Sequence, residues 1–332
     1  MSKKVYYIII SVIFLLSFRF FSSMYYPLLN TDDAVTVLMI HYFKLPDHLY
    51  FWGQDRLGSI IPLLAQPLYH LLHLPLIVSE SVVHYGILLL GFLSFASFFK
   101  SRYYKIIFAL IWFFPPTRML DITQYSFGIQ YSMLGMICYL LSINEKEHIQ
   151  NNKLRHHALL FLLMILAIAT IWVSDMTLVS IFIIGAVRLF FYFKANTFSS
   201  AFRKPELYYT IAGLVICYFF IHYAKSTAPE YGRQDYSMYA SWEEIGENLI
   251  NFAGPIWRIA LFRDSESEPV TGVYVYLAIV VIALILINSR KARFDTLSKK
   301  NMLTFLLDGF LLFGIIIVAE WTFKNESPRR YY

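Results

Sequence analysis

Long apolar segments recur along the chain and are separated by shorter polar connections. A helix that crosses a membrane needs about 20 mostly apolar residues. On that measure the pattern predicts about nine spans, at 5–25, 79–99, 103–117, 124–143, 157–174, 176–193, 207–224, 270–288 and 302–322. The third span is short because Pro115 and Pro116 end it. The sequence therefore predicts an all-α polytopic membrane protein, with one transmembrane domain over residues 1–332.

Two long connections, 26–78 and 225–269, interrupt this pattern. The first contains an apolar run, 57–76, that Pro62, Pro67 and Pro75 break, so it is predicted to be an interfacial or re-entrant helix. The second contains residues 241–262, whose apolar positions recur at nearly helical spacing. That spacing predicts an amphipathic helix lying on the membrane surface.

Positive charge is unevenly distributed between the two sets of connections. Most of the 28 Lys and Arg residues fall in the short connections of one set, although the other set is far longer. Because basic loops stay in the cytoplasm, we expect a cytoplasmic N-terminus and two long segments on the outer face. The basic start lacks a small-residue cleavage site, which predicts an uncleaved first span. The expected location is the cell (inner) membrane.

The composition agrees with this interpretation and narrows the function. Hydrophobic residues make up 58% of the chain and charged residues only 15%, where a soluble domain carries about 25%. Cys138 and Cys217 lie in apolar runs and are predicted to be apolar fillers. The sequence has no phosphate-binding loop, dinucleotide fingerprint or nucleic-acid signature. His70, His73 and His84 are predicted to be packed or interfacial histidines, because none has a carboxylate at helical spacing that would make a convincing metal site.

Two adjacent carboxylates, Asp32 and Asp33, follow the first span in the stretch NTDDAVTVLMIHYF (30–43). Thr31 is a good N-cap, and acids in the first turn of a helix stabilise it by about 0.3–1 kcal/mol. The pair is therefore consistent with a well-capped helix start. A catalytic pair is the second interpretation, and the surrounding motifs favour it.

The order of motifs after the first span resembles that of GT-C superfamily integral-membrane glycosyltransferases. The similarity is to the bacterial protein-mannosyltransferase-like and aminoarabinose-transferase-like branch. Asp32-Asp33-Ala34 stands at the Asp-Glu-Ala position of that branch, with Asp33 in place of Glu. The segments 51–54 (FWGQ) and 58–59 (GS) stand at its aromatic-Gly-Gln and Gly-Ser positions.

Two later stretches carry the same resemblance. ATIWVSDMTLVSIF (169–182) resembles the Trp-Ser turn between two central spans. NESPRRYY (325–332) resembles the Pro-Arg-Tyr motif that opens a late span, here interrupted by a second Arg. Family members continue through further spans, so we expect either a minimal member or a chain truncated at its C-terminus.

The resemblance implies transfer of a sugar from a polyprenyl-phosphate donor to an acceptor hydroxyl at the outer face. The acceptor would be a glycan, a lipid or a protein, and the enzyme would work in contact with the lipid bilayer. Asp32 aligns with the general base and Asp33 with its neighbouring acid. No cofactor is expected, with a divalent metal ion left open, and nucleic acid is not an expected partner.

The chemistry of that reaction suggests further site residues. The leaving group is a lipid phosphate, and the planar guanidinium group binds phosphate through two parallel hydrogen bonds. The arginines expected on the outer face are Arg56, Arg118, Arg329 and Arg330. Other candidates for the substrate site are Trp52, Gln54, Asp55, Asp121 and Asp175. Each has a structural alternative, as an interface anchor, a capping acid or an ordinary flanking charge.

Two other functions fit the same topology. A transporter or lipid flippase would show inverted repeats, Gly/Pro-broken spans in matching positions and charges at the centre of spans. A non-catalytic subunit of a cell-envelope polysaccharide assembly would keep the topology without needing the acidic pair. The charges here gather near the ends of the spans, which favours the glycosyltransferase.

Overall fold

A computed structural model describes residues 2–25, 31–54, 57–115, 128–149, 153–175, 177–195 and 205–228. All of them belong to one compact unit. Their regular structure is helical, without a β-strand in these ranges. The helices are α1 Lys3–Phe21, α2 Thr31–His41, α3 Ile60–His70, α4 Leu76–Ala96, α5 Arg102–Phe113, α6 Ile129–Ile149, α7 Lys153–Val173, α8 Thr177–Ala195 and α9 Pro205–Ser226.

Four of these helices, α1, α4, α7 and α9, are long and apolar enough to cross a membrane. Shorter apolar stretches lie in α6 (Ile129–Asn144) and α8 (Thr177–Arg188). Large apolar side chains on α1, α7 and α9 are exposed, among them Ile8, Phe161 and Phe219. A water-soluble surface would not carry so many, whereas a lipid-facing surface requires them. The protein is therefore a multi-pass membrane protein, and the predicted all-α class is confirmed for the described residues.

Each predicted span up to residue 224 overlaps one of these helices, and the ends of span and helix differ by a few residues. α5 has 12 residues, which corresponds to about 18 Å at the helical rise per residue and is less than a bilayer core of about 30 Å. The chain leaves α5 at Phe114, just before the two prolines. The predicted spans 270–288 and 302–322, and the amphipathic segment 241–262, lie outside the described residues, so the total of nine spans stays a prediction.

The proline-broken run forms the short helix α3. Pro62 occupies its first turn, where a missing backbone N–H is tolerated because that group has no partner within the helix. Pro67 lies inside the helix. Pro75 precedes α4 directly and has the extended conformation of a capping residue. The eleven residues of α3 do not span a bilayer, which agrees with the predicted interfacial or re-entrant helix.

Helix α4 is the centre of the described unit. It packs against α2, α3, α5 and α6, while α6 packs against α7 and α7 against α9. One apolar core joins α1, α4 and α5 through Tyr85, Phe92 and Phe113. A second core joins α3, α4, α6 and the end of α7 around Ile61 and Val173.

Several polar contacts identify which helix ends share one end of the bundle. The Ser17 hydroxyl of α1 donates to the Phe113 carbonyl of α5 at 2.7 Å. Lys225 of α9 pairs with Asp175, which follows α7, also at 2.7 Å. Together with the contacts of α2 and α3 with α4, these bonds gather residues 31–54 and 57–59 with the C-terminal ends of α1, α5, α7 and α9. We call this the Asp32 end. Its placement on the outer face of the membrane stays a prediction.

Candidate functional site

Asp32 and Asp33 lie in the first turn of α2 but in different surroundings. The helix begins at Thr31 itself, so the predicted cap is the first helical residue. Successive residues of an α-helix point about 100° apart. Asp32 is therefore half-buried while Asp33 turns inward and is buried. Only Asp32 is accessible to a molecule approaching from outside the protein.

The side chain of Asp33 lies among polar groups of α4 and of the segment after α1. Burial, together with the negative charge of Glu80, raises its pKa to about 7. The imidazole of His84 and a hydrogen bond from Ser23 lower the pKa of Asp33. Burial also raises the pKa of Asp32. The two adjacent carboxyls therefore differ in access and in their affinity for a proton.

Glu80 and His84 are the site residues that sequence analysis missed. They stand four residues apart on α4, and Glu80 Oε1 lies 3.7 Å from His84 Nδ1. His84 was predicted to be a packed or interfacial histidine, and its pairing with Glu80 was not foreseen. The signal was present in the sequence, because a Glu and a His at i and i+4 in an apolar segment face the same side. Ionisable residues in such segments are costly and are often functional.

Residues 49–54 and 57–59 are the described parts of the connection between α2 and α3, which we call the excursion 49–59. Tyr50 and Gly58 form an antiparallel bridge, and the amide of Phe51 donates to the Leu57 carbonyl at 2.9 Å. Gly53 has a positive φ of 75°, a conformation that side chains with a Cβ rarely adopt. The Gly of the FWGQ segment is thus explained by the turn.

Trp172, at the end of α7, fastens this excursion to the bundle. Its indole Nε1 donates to the Leu49 carbonyl at 2.7 Å, and its own carbonyl accepts from the Gly58 amide at 3.0 Å. A Cβ at Gly58 would lie 2.7 Å from that carbonyl oxygen. Glycine is therefore required at the point where the Gly-Ser segment and the Trp-Ser turn meet.

A small pocket lies where these segments converge with α2 and α3. Its lining is mostly apolar and consists of Thr36, Met39, Phe51, Leu57, Gly58, Ser59, Ile61, Pro62 and Val173. Thr36 follows Asp32 by one helical turn, and its hydroxyl donates to the Asp32 carbonyl at 2.9 Å. The Ser59 hydroxyl is buried and has no hydrogen-bond partner within the ranges that the structure covers. The pocket thus combines apolar side chains with an unused hydroxyl, and Asp32 is not among its lining residues.

The other predicted site residues divide into three groups. Trp52 packs beside His48 and Tyr42 and does not line the pocket, and neither does Gln54. Asp175 pairs with Lys225, an ion pair in which both side chains are partly exposed. The remaining predicted residues lie outside the described ranges, namely Asp55, Arg56, Arg118, Asp121, Arg329 and Arg330.

Among the described residues, no group of three or more His, Cys, Asp or Glu side chains is arranged to hold a metal ion. No protein-family model, curated protein or solved structure matches the chain. The functional argument therefore depends on the geometry of the Asp32 end.

Proposed function

We propose that the protein is a membrane-embedded glycosyltransferase that moves a sugar from a polyprenyl-phosphate donor to an acceptor hydroxyl, with Asp32 as general base. One observation supports it most. Helix α2, the Gly-Ser segment and the Trp-Ser stretch, which all belong to or adjoin segments that resemble GT-C motifs, line one pocket through Thr36, Gly58, Ser59 and Val173. Asp32 itself does not line the pocket and lies one helical turn before Thr36.

Asp32 has the position that a general base requires. Its carboxyl group is half-buried, so an acceptor hydroxyl can reach it, while Asp33 is enclosed. Burial raises the pKa of Asp32 above its usual value, which brings its proton affinity closer to that of an efficient base at neutral pH. The base would take the hydroxyl proton as the oxygen attacks the anomeric carbon and the donor phosphate leaves.

The apolar surroundings suit a lipid-linked donor. The exposed apolar faces of the spanning helices provide a lipid-facing surface along which a polyprenyl tail can lie. Arg56, Arg118, Arg329 and Arg330 stay predictions for the phosphate contact, as do Trp52, Gln54, Asp55, Asp121 and Asp175 for the substrate site.

The test is a transfer assay with purified protein in vesicles that contain radiolabelled polyprenyl-phosphate sugars. Asp32→Asn keeps the size of the side chain and its ability to cap a helix. We expect transfer to fall by about 10²–10⁴-fold, the usual contribution of a general base. Asp33→Asn should cost less because the enclosed group does not reach the acceptor.

Asp47→Asn is the matched control. Asp47 is exposed on the same connection and lies outside the pocket, so its variant should transfer at the parent rate. If Asp32→Asn also transfers at the parent rate, the two acids only start a helix and Asp32 is not the base.

A proton-coupled transporter or lipid flippase is the second candidate, and one observation favours it. Glu80 and His84 are buried ionisable groups within a helix that is long enough to span the membrane, a feature typical of ion-coupled transport. The same vesicles distinguish the two functions. A transporter moves the labelled lipid or sugar between leaflets or compartments and leaves its chemical linkage intact.

A further inference from the structure

Three buried ionisable side chains at the Asp32 end have no role in the proposed transfer. Asp33 of α2 is 4% exposed, and Glu80 and His84 of α4 are 0% and 1% exposed. Ionisable groups are almost never so completely buried unless other groups compensate them. Their burial therefore needs a physical explanation.

Hydrogen bonds connect this cluster to three parts of the fold. The Ser81 hydroxyl donates to Glu80 Oε2 at 3.1 Å and accepts from the Met24 amide at 3.0 Å. Ser23 bonds to Asp33. The cluster thus connects α2 and α4 with the segment that follows α1. Its charge therefore affects how strongly α2 packs against α4.

The charges of the cluster do not balance when every group is ionised. The charged groups that act on Asp33 from the described residues are Glu80 and His84 of α4 and Asp32 of its own helix. Glu80 and Asp32 are carboxylates, so only His84 offsets the negative charge. In a buried place, the repulsion between Glu80 and Asp33 favours an added proton on Asp33.

The hydrogen bonding points in the same direction. Glu80 Oε1 and His84 Nε2 are buried and have no hydrogen-bond partner within the described part of the chain. A buried acceptor without a donor is destabilising, because it has lost its hydrogen bonds to water. An added proton provides a donor that the cluster otherwise lacks.

We propose that Asp33, Glu80 and His84 form a buried proton-binding site at the Asp32 end, in which the cluster as a whole holds one added proton. The proton is taken from the surrounding water and returned to it, so no co-reactant is needed. The site would bind this proton whether the pocket carries out transfer or transport.

The site titrates near neutral pH. Burial and Glu80 raise the pKa of Asp33 to about 7, so the proton is bound below this pH and released above it. Release leaves two neighbouring carboxylates, and their repulsion weakens the contact between α2 and α4. Because the groups interact, the titration belongs to the cluster rather than to one residue.

Infrared difference spectroscopy of the full chain in lipid vesicles tests this without any substrate. We expect a protonated carboxyl band that disappears with a midpoint near pH 7. Asp33→Asn should remove the band, whereas Asp47→Asn, at an exposed position, should leave it unchanged. A parent protein without a carboxyl that titrates near neutral pH would overturn the proposal.

Two further variants test whether the cluster as a whole holds the proton. Glu80→Gln removes the like charge and should lower the midpoint, while His84→Gln removes the positive charge and should raise it, each by about 1–3 pH units. Circular dichroism verifies that the variants stay helical. If one variant does not fold, the midpoint of the other variant still tests the proposal. A midpoint unmoved in a folded variant would show an isolated buried acid and overturn the proposal. This result would leave the transfer assay unaffected.

Discussion

Asp32 and Asp33 illustrate how two identical neighbours acquire different chemistry. Their positions on α2 differ by one helical step, yet one faces the accessible side and the other the interior. The difference comes from tertiary packing against α4, since both residues have the same place in the helix dipole. A substitution should therefore affect transfer at the first position and pH-dependent stability at the second.

The pKa of Asp33 predicts how stability changes with pH. A carboxyl whose pKa is about 7 in the folded protein, against 3.8 ordinarily, binds its proton more tightly when folded. Its stabilising effect is complete below about pH 4 and is lost as the pH rises through 7. At 1.36 kcal/mol per unit of pKa, the loss amounts to about 4 kcal/mol.

Asp33→Asn cannot ionise and should not show this loss. The parent should lose thermal stability between pH 5 and pH 8 relative to the variant, measured as the melting temperature in detergent. Asp47→Asn should follow the parent curve. Parallel curves for the parent and Asp33→Asn would contradict the raised pKa.

At the scale of elements, the contact between Gly58 and Trp172 holds the excursion 49–59 against the end of α7. Gly58→Ala would place a Cβ 2.7 Å from a backbone oxygen and 2.8 Å from indole carbons. The backbone must shift, and such overpacking typically costs about 1–3 kcal/mol. We expect a lower melting temperature and faster proteolytic cleavage in 42–59.

Gly86→Ala provides the control for that substitution. Gly86 lies in α4, and a Cβ there has nothing within 4 Å. Alanine also favours a helix over glycine. This variant should therefore be at least as stable as the parent. Equal resistance of Gly58→Ala and the parent to protease would show that the excursion does not depend on the contact.

The spans could be predicted from the sequence while much of the site could not. Hydrophobicity and length determine a membrane helix locally, so the segments of α1, α4, α7 and α9 were predicted with small shifts at their ends. The meeting of Asp33 with Glu80 and His84 depends on how α2 packs against α4. The pairing of Leu49 with Trp172 joins positions 123 residues apart. Neither contact has a periodic signal in the sequence.

For the whole molecule, the grouping of helix ends leads to a prediction about sidedness. Lys44 belongs to the Asp32 end, while Lys100 lies between α4 and α5 at the opposite end, and both are exposed. In cells, Lys44→Cys should react with a membrane-impermeant thiol reagent without permeabilisation. Lys100→Cys should react only after it. Both substitutions are made in a variant that lacks Cys138 and Cys217, so that only the introduced cysteine can react. The reverse labelling pattern would place the Asp32 end in the cytoplasm.

The bond between Trp172 and Leu49 also has a consequence for biogenesis. Leu49 leaves the ribosome 123 residues before Trp172, which at about 5–20 residues per second takes roughly 6–25 s. During that interval the excursion can form its own hydrogen bonds but lacks its contact with Trp172. The pocket therefore cannot assemble until α7 has been synthesised. This delay gives a chaperone or protease at the membrane a window of seconds in which to act on the excursion.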